Sequence, residues 1–216
     1  MTERAIVAGD IGRQCQGPAG LQARRSQALD GPAETPSGAE RWEAANTLAE
    51  YGECTIAWLQ GAIEYQPLYL GPVDVDEAQA PGLTRTLIDL NTLGYVTTSS
   101  QAGAVCTGPD GVCWAQVAAV TGFATKRTYK WVHDALNDTA FCVVASPVRR
   151  QAGDQPYRPV AVTWRDRVAI TWFGVVGDSR EVPIDAELAL TVLDPRPGPN
   201  DLWAALRAAA VRQLGN

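Results

Sequence analysis

The stretch LTRTLIDLNTLGYVTTSSQAG, residues 83–103, carries the sharpest structural signals in the chain. Its first half has leucines at helical spacing, which predicts an amphipathic helix with one buried stripe. These leucines are Leu83, Leu87 and Leu90. We predict that the helix begins near Pro81 and ends at Gly94, a residue that suits the left-handed position of a helix end. Tyr95 can then pack back on the last turn.

The second half of this stretch combines a strand with a polar turn. β-Branched and aromatic residues predict a strand over residues 95–99, and the glycine, proline and aspartate that follow predict a loop over residues 101–111. Where a strand ends, the chain leaves the sheet and its polar groups can face a crevice. We therefore expect a ligand site at the Ser-Gln-Ala-Gly turn, with a simple polar strand end as the alternative. The uncharged groups of this site are Thr98, Ser100 and Gln101, together with Gly103, which allows close approach of the backbone.

The chain before this stretch divides into a polar tail and a helical region. Residues 1–36 are rich in Gly, Ala, Gln, Arg and Pro, and we expect a disordered tail because they bury little apolar surface. Ser37 and Glu40 match a capping box, which predicts a helical region from there to about Gln60. Two prolines and a glycine exclude regular structure from residues 65–72.

The chain after residue 103 is predicted to alternate strands and helices. We expect a strand over residues 114–123, a helix capped by Thr125 and a short strand over residues 141–145. Two β-rich runs flank a short charged segment within residues 160–173, and this arrangement predicts a hairpin. A further strand over residues 188–193 precedes a C-terminal helix.

Length and composition favour one large domain. With 216 residues and 46% hydrophobic content, the chain can bury a core of its own. We predict an α+β fold, a single domain over residues 37–216 with a mixed β-sheet and helices mainly on one face, preceded by the disordered tail of residues 1–36. The net charge of −6 argues against nucleic acid as a partner. No apolar run suits a secretory signal or a membrane span, so we expect a cytoplasmic protein without membrane contact.

Few residues suit the common catalytic or metal-binding mechanisms. His133 is the one histidine of the chain, and its position on a predicted helix is more typical of a packed residue than of a catalyst. Cys106 and Cys113 flank a Pro-Asp-Gly turn that is typical of a hairpin tip, and their spacing is too long for a zinc knuckle. We therefore expect no metal and no cofactor, and the catalytic residues stay unknown.

Four groups of residues together resemble an uncharacterised domain family of actinobacteria, over roughly residues 40–145. These groups are Trp42 with Leu48, the run Tyr65-Gln66-Pro67-x-Tyr69-x-Gly71-Pro72, the run from Gly94 to Gly103, and Gly122-Phe123-Ala124. The role of that family is unassigned. The resemblance implies that the Tyr/Pro loop and the Ser-Gln turn matter together, which adds Tyr65 and Tyr69 to the candidate ligand site.

Three functions remain open at this point. The first is a small-molecule-binding or regulatory module that holds a small polar or anionic ligand at the polar, uncharged Ser-Gln site. The second is a hydrolase or transferase for a nucleotide-like or anionic substrate, with Asp89 or Glu64 as the base. The third is a protein-interaction module without a pocket, which would present an exposed apolar patch. The sequence does not identify the ligand, a protein partner or the oligomeric state.

Overall fold

The structure, a computed structural model, describes residues 37–64, 80–148, 159–174, 182–199 and 201–215. The helices in these ranges are α1 (Gly38–Ala44), α2 (Leu48–Leu59), α3 (Leu83–Thr92), α4 (Lys126–Leu136) and α5 (Leu202–Leu214). The strands are β1 (Val96–Gln101), β2 (Ala104–Thr107), β3 (Cys113–Ala124), β4 (Cys142–Pro147), β5 (Val160–Arg165), β6 (Val168–Phe173) and β7 (Leu188–Pro197). The predicted N-terminal tail and the Tyr/Pro loop with Tyr65 and Tyr69 lie outside the described residues.

The strands form one curled sheet, and the α+β class is confirmed. Within the described ranges every strand pairing is antiparallel, whereas the sequence predicted a mixed sheet. The difference arises because β4, which follows α4, pairs with the distant strand β7 in the antiparallel sense. A parallel pair would instead require a crossover connection between the two strands.

Strand β3 is the centre of the sheet and belongs to two halves of it. One edge of β3 pairs with β1 and β2 in succession. The opposite edge pairs first with β5, up to Gln116, and then with β7, from Val117 onward. One half of the sheet therefore has the order β2-β3-β5-β6, and the other half has the order β1-β3-β7-β4. The two halves separate beside Val117.

The predicted helix within residues 83–103 is present as α3, and its stripe of leucines is fully buried. Gly94 has φ +79°, and the amides of Gly94 and Tyr95 donate to the carbonyls of Asn91 and Leu90. This pattern is a Schellman motif. It turns the chain into β1 and buries the Tyr95 ring, whose hydroxyl lies 2.9 Å from the Leu190 carbonyl oxygen. The last turn of α3 thereby fixes the start of β1 against the centre of the sheet.

The helical region that the sequence predicted from Ser37 to Gln60 is two helices. The capping box of Ser37 is confirmed, but α1 ends at Ala44. Thr47 then begins α2 with a second capping box, in which Glu50 accepts the Thr47 amide. The break occurs because Thr47 offers a competing helix start that satisfies the first amides of α2.

The predicted Ser-Gln-Ala-Gly turn is wrong in its first half, because Ser100 and Gln101 lie inside a strand, whereas Ala102 and Gly103 link that strand to the next. β1 continues through Gln101, and the predicted loop over residues 101–111 contains β2. Both strands run along the same edge of β3, and in β1 the side chains of Thr98 and Gln101 hydrogen-bond to carbonyls of β3. The actual turn spans residues 108–112, where the amide of Gly108 donates to the carbonyl of Val112. This confirms the hairpin tip between Cys106 and Cys113.

Gly122 is required by the close approach of β1 to β3. A β-bulge shifts the register between Thr97 and Ser99, and a Cβ atom on Gly122 would lie 2.0 Å from the Val96 carbonyl oxygen. We expect Gly122→Ala to lower the free energy of unfolding by about 3 kcal/mol or more. Urea denaturation measures this change. The control is Gly215→Ala, where the nearest atom lies at 3.5 Å, and an equal loss in both variants would contradict the explanation.

Candidate functional site

Gln101 joins three strands at the place where the sheet divides. Its side chain is buried, and its Nε2 donates to the carbonyl oxygens of Val117 at 2.8 Å and Val162 at 3.0 Å. Its Oε1 accepts a hydrogen bond of 3.2 Å from the Thr163 hydroxyl. Both N–H donors of the amide are therefore used inside the protein. The side chain that seemed best suited to a ligand instead links β1, β3 and β5.

The other predicted site residues are distributed along the same edge of β3. Thr98 is half-buried, with its hydroxyl 3.4 Å from the Thr121 carbonyl oxygen. Ser100 is half-buried and pairs with Val120 in the sheet. Gly103 lies in the short link between β1 and β2. Of the candidate residues, Gly103 lines one of the two cavities described next, whereas Thr98, Ser100 and Gln101 line neither of them, and a ligand role for these residues stays a prediction.

Two adjoining cavities lie where α5 packs beside the start of α3. The larger, here called the α3–α5 groove, has a volume of about 570 Å³. Its described lining comprises Pro81, Gly82, Thr86, Trp203, Ala204, Arg207, Ala208, Val211 and Arg212. The smaller, here called the Gly103 crevice, has a volume of about 180 Å³. It shares Pro81, Trp203 and Ala204 with the groove and extends to Ala102 and Gly103.

The α3–α5 groove combines apolar walls with positive charge. Arg207 and Arg212 both line it, and neither forms an ion pair with a carboxylate of the described residues. The Arg207 guanidinium lies against the backbone of Gly82, which begins α3 at φ +87° without a side-chain cap. The N-terminus of a helix carries partial positive charge, so it adds to the charge of the guanidinium. The groove therefore favours an anionic group.

Trp203 forms the wall between the two cavities. Its side chain is 5% exposed, and its indole Nε1 is buried without a hydrogen-bond partner among the residues described. A buried N–H donor without a partner is uncommon, because it loses its hydrogen bond to water. The tryptophan thus lines both cavities with the small exposed part of its ring, and its donor is buried beneath them.

The acidic and basic residues considered for catalysis lie elsewhere. Asp89 is buried on α3 and is bonded to the Arg85 guanidinium at 3.1 Å, whereas Glu64 is exposed. His133 is half-exposed on α4 beside the Tyr129 ring. The described lining of the groove and the crevice contains no carboxylate, imidazole or thiol. The arrangement can bind a molecule, but it offers no acid, base or nucleophile from the described residues.

No group of three or more His, Cys, Asp or Glu side chains in the described ranges could hold a metal ion. Within the same ranges, no helix has both the length and the apolar content needed to cross a membrane.

The residues that line the α3–α5 groove were not among the sites predicted from the sequence. Trp203 is a buried residue of α5, and no role was predicted for Arg207 and Arg212. A signal is nevertheless present, because Trp203, Arg207 and Val211 recur at intervals of four and share one helix face. Two arginines beside an apolar stripe could have indicated a mixed binding surface.

Asp194 stabilises the opposite side of the point where the sheet divides. The pairing of β7 with β3 shifts register between Leu193 and Pro197, so Asp194 lies in a bulge. Its buried carboxylate accepts hydrogen bonds from the backbone amide and the guanidinium of Arg196, at 2.9–3.0 Å. The hydrogen bonds from the Arg196 side chain hold the pKa of Asp194 below its usual value.

The internal role of Gln101 predicts a loss of stability. Gln101→Met keeps the approximate volume but removes both donors, which leaves the carbonyls of Val117 and Val162 without this partner. We expect the free energy of unfolding to fall by about 2–4 kcal/mol in urea denaturation. Thr98→Ala removes one long hydrogen bond and should cost under about 1 kcal/mol. Equal stability of Gln101→Met and the wild type would exclude this role.

The Asp194 carboxylate predicts a pH-dependent contribution to stability. Folding lowers its pKa below the ordinary value of about 3.9, so the unfolded chain binds the proton more tightly. Its contribution is therefore present above about pH 4 and is lost as the pH falls further. We expect Asp194→Asn to lose about 1–2 kcal/mol at pH 7 and to approach the wild type in stability below pH 4. A difference that does not change with pH, measured by urea denaturation across this range, would contradict the assignment.

Comparison with known proteins gives a family but no activity. A search of curated proteins finds no match. The family model described as "Domain of unknown function (DUF6919)" matches residues 37–213, which include every described helix and strand except the last residue of α5. This confirms the resemblance to an uncharacterised domain family and extends it beyond residue 145. The chain belongs to the DUF6919 family, a family of unknown function.

Proposed function

We propose that this protein is a binding module for a small anionic molecule with an aromatic or apolar body, held in the α3–α5 groove. The observation that carries the proposal is the position of Arg207 and Arg212 beside Trp203, without an acidic partner among the described residues. A guanidinium group presents a planar set of donors that matches the oxygens of a carboxylate or phosphate. Trp203 supplies an apolar surface for the rest of the ligand.

The charges around the groove support an anion over a neutral ligand. The chain has a net charge of −6, so a pair of arginines without an acidic partner among the described residues is a local exception to its general charge. Arg207 lies beside Gly82 at the start of α3, where the helix dipole also favours negative charge, and Arg212 lines the same groove. Val211 and the alanines of α5 provide apolar contact beside these positive groups.

The proposed ligand site adjoins the polar site that the sequence predicted, and the two meet at Gly103. The Gly103 crevice shares its Trp203 wall with the α3–α5 groove, so a longer ligand could extend towards β1. Thr98 and Ser100 stay proposed secondary contacts. A regulatory role suits this protein better than catalysis, because the described lining supplies no acid, base or nucleophile.

We also propose the setting in which the module acts. A cytoplasmic location fits Cys54, Cys113 and Cys142, which form no disulfides. The acidic net charge supports a ligand other than nucleic acid. We propose that residues 37–216 form the module and that residues 1–36 are a tail outside it.

A matched set of ligands and variants tests this function. Phenyl phosphate and benzoate carry an anion on a ring, whereas inorganic phosphate lacks the ring and benzyl alcohol lacks the charge. We expect calorimetric binding of the first two to the full chain, and at least about tenfold weaker binding after Arg207→Gln or Arg212→Gln, because each change removes one charged hydrogen-bonding partner. Arg127→Gln, an exposed arginine on α4, is the control and should leave the affinity unchanged.

Certain binding results would contradict the proposal of an anion site in the groove. If neither phenyl phosphate nor benzoate binds, or if their affinities are the same in Arg207→Gln, Arg212→Gln and the control, the groove is not the anion site. If inorganic phosphate binds as tightly as phenyl phosphate, the aromatic part of the proposal is wrong.

A further inference from the structure

Gly82 stands immediately before α3 and lines the α3–α5 groove. Its φ of +87° lies in the left-handed region, where glycine is favoured because it has no Cβ atom. Three other helices begin with a side chain that accepts a hydrogen bond from the helix, namely Ser37, Thr47 and Thr125. The groove therefore meets a residue without a side chain, at a position that holds a hydroxyl group in those three helices.

A side chain at residue 82 would point at Arg207. A Cβ atom on Gly82 would lie 3.3 Å from the Arg207 Nη1 atom. Apart from the adjacent residues of the chain, no other atom of the described residues would lie within 4 Å of it. An aspartate, which often precedes a helix, would bring its carboxylate beside the guanidinium group, because the carboxylate carbon is bonded directly to Cβ. Residue 82 therefore controls whether Arg207 has an acidic neighbour.

Arg207 has no acidic partner among the described residues. None of their ion pairs includes it, and the described lining of the groove contains no carboxylate. A guanidinium group that is already paired binds an external anion less tightly, because the anion has to compete with the internal carboxylate for the same N–H donors. The preference of the groove for an anion therefore depends on the residue at position 82.

We propose that Gly82 is a specificity-determining residue of the α3–α5 groove, because its missing side chain keeps the Arg207 guanidinium available to an anion from outside the protein. The inference rests on the proposed function, since it concerns the class of ligand that the same groove accepts. Gly82 acts through Arg207. With an acidic side chain at residue 82, the groove would lose most of its preference for phenyl phosphate over the uncharged benzyl alcohol.

The backbone conformation gives a separate reason for a glycine at this position. A φ of +87° disfavours most side chains, but Asn and Asp adopt left-handed conformations more readily than other residues. These two side chains have nearly the same size and differ in charge. The pair Gly82→Asn and Gly82→Asp therefore separates the effect of conformation from the effect of charge.

Calorimetric titration of the full chain with phenyl phosphate tests the inference. We expect the affinity to fall at least about tenfold in Gly82→Asp, because the new carboxylate pairs with Arg207. In Gly82→Asn the affinity should fall by less than about threefold, because the amide brings no charge. Circular dichroism melting shows whether each variant is folded at the temperature of the titration.

Gly61→Asp is the matched control for added charge and backbone strain. Gly61 has φ +73°, and no atom of the described residues would lie within 4 Å of a Cβ atom on it. This variant should bind phenyl phosphate as tightly as the wild type. In an Arg207→Gln background, Gly82→Asp should change the affinity by less than about twofold, because the partner of the new carboxylate is gone.

Chemical modification of Arg207 provides a second measurement. Phenylglyoxal reacts with arginine side chains, and peptide mass spectrometry gives the rate at each one. In the wild type, saturating phenyl phosphate should slow the modification of Arg207 but not that of Arg127, which is exposed on α4. This arm needs no substitution at residue 82, so it holds even if Gly82→Asp fails to fold. Without ligand, Gly82→Asp should slow the modification of Arg207 by at least about threefold.

Two results would overturn the role of Gly82. The first is an equal loss of affinity in Gly82→Asp and Gly82→Asn, which leaves only a requirement of the backbone. The second is binding of phenyl phosphate that depends on Arg207 but is the same in Gly82→Asp and the wild type, which leaves the proposed function intact. If the wild type binds no phenyl phosphate while Gly82→Asp still slows the modification of Arg207, the proposed ligand is wrong and the pairing of residue 82 with Arg207 is supported.

Discussion

The side-chain amide of Gln101 supplies hydrogen bonds to backbone carbonyls at the point where the sheet divides into two halves. Strand β3 exchanges one partner for another beside Val117, and such an exchange interrupts the regular ladder of backbone hydrogen bonds. Gln101 donates to carbonyls on β3 and β5 at this point, and a buried carbonyl without a partner costs about 1–3 kcal/mol. The curl of the sheet therefore depends on a side chain from its opposite edge. Asp194 has a corresponding role in the bulge of β7, where its buried carboxylate accepts hydrogen bonds from Arg196.

This curl determines where the helices can lie. The half of the sheet built from β1, β3, β7 and β4 is covered on one face by α3, α4 and α5, which share a core with Tyr95, Val120 and Leu190. α5 is the last of these helices in the chain, and it packs beside the first turn of α3. The α3–α5 groove lies between α5 and the turn that begins α3, and Trp203 lines it. The groove is thus formed by the packing of α5 beside the start of α3.

Charge and apolar contact are the physical basis of recognition in the groove. Two guanidinium groups line it, so its selectivity comes from charge and directed hydrogen bonds. The two helices that line the groove share one core with the β1-β3-β7-β4 half of the sheet. The groove therefore belongs to that half of the molecule.

The sequence by itself determined the elements whose signals are local: the leucine stripe of α3, its end at Gly94, the caps at Ser37 and Thr125, and the hairpin tip before Cys113. It could not determine the role of Gln101, because one partner of that amide, Val162, lies 61 residues away in the chain. Nor could it separate the arginines of α5 from ordinary exposed residues of an amphipathic helix. Only the tertiary structure decided these roles, because the chemistry of a polar side chain depends on the unpaired groups that folding brings near it.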